Sequence, residues 1–554
     1  MCLGCGQPET KGTGEQDVVT SVEYWREAPE AWGIDYKHQG FTPGEFLLPE
    51  VMGGGVALFD CDGDDDLDVL LVIGSDLEGA GSAARNENRL YILDADGRYL
   101  QAPASHGLGD RGYGMGVAVG DMDSDGDLDL YITNVGPDKL YRNLGEGQFE
   151  DITLEAGIDV PGWSCSACFM DYDGDGDLDL YVTRYVDFDA AKECQGWSGR
   201  RDFCGPKEFP GVSDVLLRND GGARFVDVSN SAGIDRVSYA GLGVLSEDFD
   251  GNGWTDLYVA NDAYPNFLWL NQGDGTFRDA APEFGVALNM DGRAEAGMGV
   301  ASGDFDGDGL TDIFVTHLRT ETNTLYAALP GGRGFRDATG SSQLGMASAS
   351  STGFGVCALD MECDGDLDLV VANGRVNWHQ PEKSNGLVAP WDGFAEHNQA
   401  FLNDGQGVFK EMREGGSGWS LRAEVSRGLA CGDVDRDGDL DLVLTNLQGE
   451  VRLFENVAAR EGRWLVVRCW LAGGKVEALG AGITLLGVGP IASRRVRRSS
   501  GYLSSSPASV HFGVAAGTEV KSILVKWPDG QQESFPTLGL DQTLNLIQGT
   551  ASSR

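Results

Sequence analysis

Nine residues, Asp171-Tyr-Asp-Gly-Asp-Gly-Asp-Leu-Asp179, constrain this chain more than any other stretch. Carboxylates stand at positions 1, 3, 5, 7 and 9, with glycine at 4 and 6. A hard cation such as Ca2+ takes six to eight oxygens at about 2.3–2.6 Å, and alternate residues of a tight turn can aim their oxygens at one centre. Glycine at position 6 supplies the sharp turn. Held together with no ion, so many carboxylates repel strongly. The pattern assigns Asp171, Asp173, Asp175 and Asp179 as side-chain ligands and gives Asp177 the role of a backbone carbonyl donor.

The motif occurs seven times. By the same positions the other candidate ligands are Asp60, Asp62, Asp64 and Asp68; Asp121, Asp123, Asp125 and Asp129; Asp248, Asp250, Asn252 and Asp256; Asp304, Asp306, Asp308 and Asp312; Asp360, Glu362, Asp364 and Asp368; and Asp433, Asp435, Asp437 and Asp441. Up to seven Ca2+ are therefore expected. Three copies depart from the pattern, at Asn252, at Glu362 and at Asp65, which takes the place of the position-6 glycine. Weaker binding is expected there. Solvated acidic turns are the plainer alternative, but seven copies in matching contexts weigh against them. An EF-hand needs a bidentate Glu at position 12 and flanking helices. Here each loop runs into β-branched and aromatic residues such as Asp179-Leu-Tyr-Val-Thr183, which read as a strand.

Each loop sits inside a unit of four strand-like segments. In the second copy these are Gly114–Gly120, Leu128–Thr133, Lys139–Asn143 and Phe149–Thr153, with a Gly-rich turn before Phe149. The turn and its Phe recur at Asn219–Phe225, Asn271–Phe277 and Asn403–Phe409. Four antiparallel strands per unit, with loops 50 to 77 residues apart, describe propeller blades. The expected fold is all-β: a seven-bladed β-propeller over 19–457 with calcium loops, then a small C-terminal β domain over 458–550, expected to cap the ring as a sandwich. The seventh unit lacks a fourth strand at its own end, and a segment near 19–25 is expected to supply it, hiding two sheet edges. In an up-and-down blade the Asp loops join strands 1 and 2. The long insertions 184–213 and 374–398 join strands 2 and 3 and should project from the opposite face. Long loops on a rigid scaffold are where function concentrates.

The formal net charge of −46 would fall to roughly −32 with seven divalent ions bound. So acidic a surface disfavours nucleic acid and anionic membranes. Glycine, at 82 of 554 residues, is about twice its usual share, as a chain full of tight turns requires. Eleven cysteines in this length do not make a disulfide scaffold. No apolar run is long enough to span a bilayer. Leu3-Gly4-Cys5 is similar to the end of a bacterial lipoprotein signal, which makes Cys5 a candidate lipid anchor and 1–18 a tether. The charged and apolar regions that normally precede such a site are missing.

The repeats resemble the FG-GAP/VCBS class of propellers also found in integrin α subunits. Met52–Asp60, Tyr185–Asp189, Cys194, Cys204–Pro206 and Phe209–Gly211 look like the cartilage acidic protein family in particular. Trp464–Arg468, Leu479–Gly482, Gly501–Ser504, His511–Gly513 and Val525–Gly530 are similar to an ASPIC/UnbV domain. The resemblance implies a secreted or surface-attached calcium-binding protein. The expected role is adhesion or interaction, with an unidentified protein or glycan on the insertion face. The alternative is an enzyme using that face as a platform, although no triad, P-loop or Rossmann fingerprint is present.

Five further features bear on chemistry. Cys165 and Cys168 lie in a strand, where nothing lowers a thiol pKa, and read as core. Cys194 and Cys204 could staple the first insertion in an oxidising compartment. Trp197, Phe203, Trp378, Trp391 and Phe394 could stack on a ligand or pack the insertions down, and His379 and His397 lack an identifiable third partner. Ser493–Arg498 could bind anions or pair with acidic ring loops.

Overall fold

The computed structural model describes residues 23–28, 32–38, 45–74, 77, 87–196, 199–381, 385–412, 418–488, 492–537 and 539–551. Cys5, the tether and Trp197 lie outside these residues. Among the described residues the repeat region forms seven four-stranded antiparallel sheets with up-and-down order. The second comprises Tyr113–Gly120, Asp129–Val135, Lys139–Asn143 and Phe149–Asp151. In each sheet the Asp loop joins the first two strands, so position 9 of the loop opens the second strand.

The seventh sheet is completed from the other end of the chain. Trp25–Glu27 pairs antiparallel with Arg452–Asn456, placing Trp25 opposite Asn456. Residues 19–22 lie outside the description, so the closing strand begins at the far edge of the expected segment. Trp25 is fully buried among Trp419, Leu442 and Phe454, which anchors the closure.

Alternation of side chains along each strand gives every sheet two apolar faces, and neighbours share them. Sheets one and two bury a common cluster around Phe59, Val119 and Tyr141. The pattern repeats around the ring through Tyr131 with Phe169, Tyr181 with Trp269, Tyr258 with Ile313, Phe314 with Phe401, and Leu359 with Leu442. Sheet seven then packs on sheet one through Val443 and Leu58. Packing is thus cyclic.

The C-terminal region has a core of its own. A three-stranded sheet, Val510–Ala515, Gly462–Trp470 and Gln542–Ile547, faces a four-stranded one, Ala492–Arg495, Gly482–Val488, Glu519–Lys526 and Gln532–Pro536. Leu465, Ile483, Phe512, Val525 and Trp527 fill the space between them.

This sandwich sits on the face of the ring that carries the Asp loops. The run Ser493–Arg498 does the docking. Arg495 and Arg497 both donate to buried Glu247, at 3.0 and 2.9 Å, and Arg498 pairs with Glu477 of its own domain. The basic run is therefore spent largely on internal carboxylates.

From the sandwich, the segment Ser499–Ser506 enters the middle of the ring. Leu58 donates to the carbonyl of Ser505 (3.0 Å), Val117 to that of Leu503 (3.1 Å) and Val300 to that of Gly501 (3.1 Å). Leu503 donates to Ser166 Oγ (3.1 Å), and the hydroxyls of Ser246 and Ser499 lie 3.0 Å apart. Tyr502 meets Phe354 edge-on at 5.0 Å, and the Cys431 amide donates to Ser506 Oγ at 3.2 Å. All seven sheets touch this one loop. The small residues of the inner strands follow from it. A Cβ on Gly55 would lie 2.3 Å from the carbonyl oxygen of Leu503, and one on Gly116 would lie 3.1 Å from the same atom.

The other mouth is closed by the insertions. Phe203, Trp391 and Phe394 are buried and in mutual contact, with ring centroids 5.3 to 6.2 Å apart. They share one cluster with Leu48, Val51, Met52 and Tyr502. Cys194 and Cys204 are disulfide-bonded, and Asp202 accepts the amide hydrogen of Trp378 from the other insertion at 3.1 Å. Packing, not ligand stacking, is what these aromatics do. Arg427, fully buried, donates to the carbonyls of Val51, Gly374, Arg375 and Ser426 and stacks 3.8 Å from the Phe354 centroid.

Candidate metal centres

The Asp loops share one hydrogen-bond scheme in all seven copies. At position 9, buried Asp68, Asp129, Asp179, Asp256, Asp312, Asp368 and Asp441 each accept two backbone amides. One comes from position 2 of the same loop (2.9–3.0 Å). The other comes from the third strand (2.8–2.9 Å). This side chain therefore ties the loop to the sheet through the protein's own hydrogen bonds, a role that ligand spacing alone does not reveal.

At position 1, Asp60, Asp121, Asp171, Asp248, Asp304, Asp360 and Asp433 accept the position-6 amide at 2.8–3.1 Å. At position 5, Asp64, Asp125, Asp175, Asn252, Asp308, Asp364 and Asp437 accept the position-7 amide at 2.7–3.1 Å. Positions 4 and 6 both adopt left-handed backbone. Asp65 does so at φ 73°, and its exposed carboxylate pairs with Arg468 at 2.9 Å.

The loops gather their acids. Oxygens of Asp60, Asp62 and Asp68 lie within 4.8 Å of one another, as do those of Asp121, Asp123 and Asp129, of Asp171, Asp173 and Asp179, of Asp248, Asp250 and Asp256, and of Asp304, Asp306 and Asp308. In the sixth loop Glu362 stands beside Asp368, which is fully buried. In the seventh, Asp433 and Asp437 make the same position-1 and position-5 bonds as the others, while Arg460 pairs with Asp437 and Asp439.

The decisive observation is what these oxygens lack. Each loop holds a buried carboxylate oxygen with no protein partner: Asp62 Oδ1, Asp123 Oδ1, Asp173 Oδ1, Asp248 Oδ1, Asp306 Oδ1, Glu362 Oε2 and Asp433 Oδ1. Burying a charge unpaired is costly. An oxygen-liganded divalent cation satisfies such an atom and offsets the repulsion at once, so the residues present fit Ca2+.

Burial, then the neighbouring carboxylates, raises the metal-free acids. Asp129, Asp179 and Asp256 are pushed up to about 8, Asp121 and Asp433 to about 7, and Asp171 to about 6. A carboxyl whose folded pKa is raised favours the fold below its ordinary pKa and loses that contribution as pH rises through the folded value. Metal-free protein is therefore expected to melt lower at pH 8.5 than at pH 5. The Tm gained on adding Ca2+ should widen over the same interval, which paired thermal scans would check.

Asparagines couple one loop to the next. Asn143, Asn219, Asn271, Asn403 and Asn456, each at the end of a third strand, donate through Nδ2 to the position-2 carbonyl of a neighbouring sheet's loop at 2.7–3.0 Å. The recurrence of the first four before a Gly-rich turn is the signal, and it reads as turn chemistry until the neighbouring loop is seen.

The remaining sequence candidates carry no constellation. His379 and His397 are exposed, and their Nδ1 atoms hydrogen-bond to the backbone carbonyls of Gln380 and Ser420. Cys165 and Cys168 are buried, and burial raises both thiols.

The FG-GAP-like repeat profile matches residues 60–132, 121–182, 248–315 and 304–371, and the ASPIC and UnbV profile matches 472–553. The chain is an FG-GAP-repeat protein with a C-terminal ASPIC and UnbV domain. This FG-GAP-repeat chain is a distant homologue of cartilage acidic protein 1. It is 27% identical to the Homo sapiens protein over 505 residues, 88% of this chain and 70% of that one. It is 25% identical to the Xenopus tropicalis protein over 508 residues, 87% and 71% of the two chains. Among solved structures, the chain is similar to a Burkholderia pseudomallei lectin at 11% identity and TM-score 0.44, over 74% of this chain and 96% of that one. An Agrocybe aegerita lectin specific for terminal N-acetylglucosamine gives 15% identity and TM-score 0.38, over 70% and 88%.

Proposed function

We propose that the chain is a calcium-stabilised binding protein built on a seven-bladed propeller. In this reading up to seven Ca2+ hold the Asp loops, the propeller spans 19–457, and the C-terminal domain spans 458–550. The observation that carries it is the buried, unpartnered carboxylate oxygen in each of the seven loops. Calcium is structural here. The position-9 Asp already bonds the loop to the sheet, so the ion neutralises and rigidifies a turn that the chain has folded.

The protein acts outside the cytosol, secreted or held at the cell surface, with Cys5 as the anchor if it is lipidated. The Cys194–Cys204 disulfide supports an oxidising compartment. Extracellular calcium modules of modest affinity, about 10^-4 to 10^-3 M, suit such a setting. Its role is recognition of a protein or glycan, with the rigid ring as platform. The test is retention of the purified chain on cell-surface protein and polysaccharide, in millimolar Ca2+ and again in EDTA. Retention that EDTA abolishes is the expected result; no retention in either buffer overturns the recognition role.

A further inference from the structure

Between the Asp-loop face of the ring and the three-stranded sheet of the C-terminal domain lies a cavity of about 340 Å³. That volume falls in the range of small-ligand sites, about 300–1,000 Å³, and such sites favour seams between domains. The ring side is formed by the first, second and seventh Asp loops. The domain side uses alternate residues of strand Gly462–Trp470, which the pleat places on one face: Trp464, Arg468 and Trp470. Arg498 and His511 complete the wall.

These last two residues are more than nine-tenths buried and keep unused hydrogen-bonding capacity. Arg498 is 7% exposed; its Nε and Nη2 donate to Glu477 at 2.8 and 2.7 Å, while Nη1 is buried without a partner. His511 is 4% exposed, and its Nε2 lies 2.9 Å from the Gly438 carbonyl. In the neutral ring Nε2 must then carry the hydrogen, leaving Nδ1 as an acceptor, also buried and unpartnered. A buried polar atom left without a partner is costly, so two on residues lining one cavity ask for a ligand that supplies both partners.

The pair specifies chemistry. A guanidinium N–H seeks an anionic oxygen, preferably a carboxylate, and a neutral imidazole nitrogen seeks a hydroxyl hydrogen. Trp470, its indole N–H held by Asn545 Oδ1 at 3.0 Å, offers an oriented apolar face beside them. The lining holds six carboxylates against four cationic side chains. Divalent ions in the three bordering loops would turn this wall from net negative to net positive.

We propose that this cavity binds an acidic sugar unit, a uronate whose carboxylate meets Arg498, whose hydroxyl donates to His511 Nδ1 and whose ring lies against Trp470. The assignment rests on the calcium-organised recognition role and names its ligand class. It places recognition on the face that carries the Asp loops, not on the sealed insertion face.

The test is calorimetric titration of the calcium-loaded full chain with disaccharides ending in glucuronate or galacturonate. Their neutral glucose and galactose counterparts serve as controls. An acidic disaccharide should bind with submillimolar Kd, at least tenfold more tightly than the neutral one. Trp470→Ala and Arg498→Lys should each weaken it tenfold or more. Absence of acidic-sugar binding, equal binding of the neutral sugar, or binding that neither substitution moves overturns the site. Acetate, a monocarboxylate that holds Ca2+ only weakly, binding as tightly as the disaccharide also overturns it, by assigning the cavity to a small free carboxylate. The calcium-induced Tm shift of the unsubstituted chain is read on the same preparation. If that shift is present and sugar binding is not, this site alone fails; if the shift is absent, the calcium reading fails first.

Discussion

Stripping divalent ions with EDTA is expected to lower the Tm by roughly 10 °C, and excess Ca2+ should restore it. An ion that binds only the folded state stabilises it by RT ln(1 + [L]/Kd), about 1.4 kcal/mol per site at ten times Kd. Seven independent loops would together contribute on the order of 10 kcal/mol. For a chain of this length each kcal/mol moves Tm by about 1 °C, less than in small domains because the unfolding entropy grows with size. Every loop holds a buried oxygen that the protein does not satisfy, so the loss should spread over all seven sheets. Mg2+ should substitute poorly, since it demands near-ideal octahedral geometry and dehydrates reluctantly. Tm unchanged by EDTA would mean that the clustered acids fold by protonation and solvation alone.

Tyr502→Ala is expected to destabilise the ring although Tyr502 belongs to the other domain. The side chain is fully buried, packs edge-on against Phe354 and donates its hydroxyl hydrogen to the Met52 carbonyl at 2.7 Å. Removing a buried aromatic leaves a cavity and costs about 3–5 kcal/mol. Here the cavity opens on the ring axis, where Tyr502 shares a cluster with Met52, Tyr185, Phe203 and Trp391. Tyr502→Phe keeps the ring contact and removes only the hydrogen bond, so it should cost about 1 kcal/mol. Denaturant midpoints of the three proteins would separate the two contributions. A Tyr502→Ala variant within 1 kcal/mol of the parent, a margin set by the hydrogen bond alone, would show that the loop merely rests in the ring.

Local signals carried the sequence a long way. Alternating carboxylates gave the loops, period-two segments gave the strands, and the missing fourth strand pointed to the segment ending at Trp25. These features are short-range, or pair segments of matching pattern. The axial loop is different. Gly501-Tyr-Leu-Ser504 reads as a domain motif, and nothing local says that its Ser504 Oγ accepts the Val56 amide, or that it meets Val117 and Val300, in the middle of the ring. Likewise, Ser493–Arg498 has the composition of an anion site, and only the fold reveals Glu247 and Glu477 beside it. The insertion aromatics posed the same problem, since composition cannot tell Phe203, Trp391 and Phe394 stacked on a ligand from the same rings packed on each other. Spacing marks position 9 as a candidate ligand, but its two backbone hydrogen bonds emerge only when loop and third strand are brought together.

The most direct measurement is crystallographic: data from crystals grown in millimolar Ca2+, collected where calcium scatters anomalously. The account predicts an anomalous peak within each of the seven Asp loops, about 2.3–2.6 Å from oxygens of positions 1, 3, 5 and 9. The previously unpartnered oxygen of Asp62, Asp123, Asp173, Asp248, Asp306, Glu362 or Asp433 should lie among its ligands. Loops without peaks, with those oxygens bonded to water alone, would contradict it.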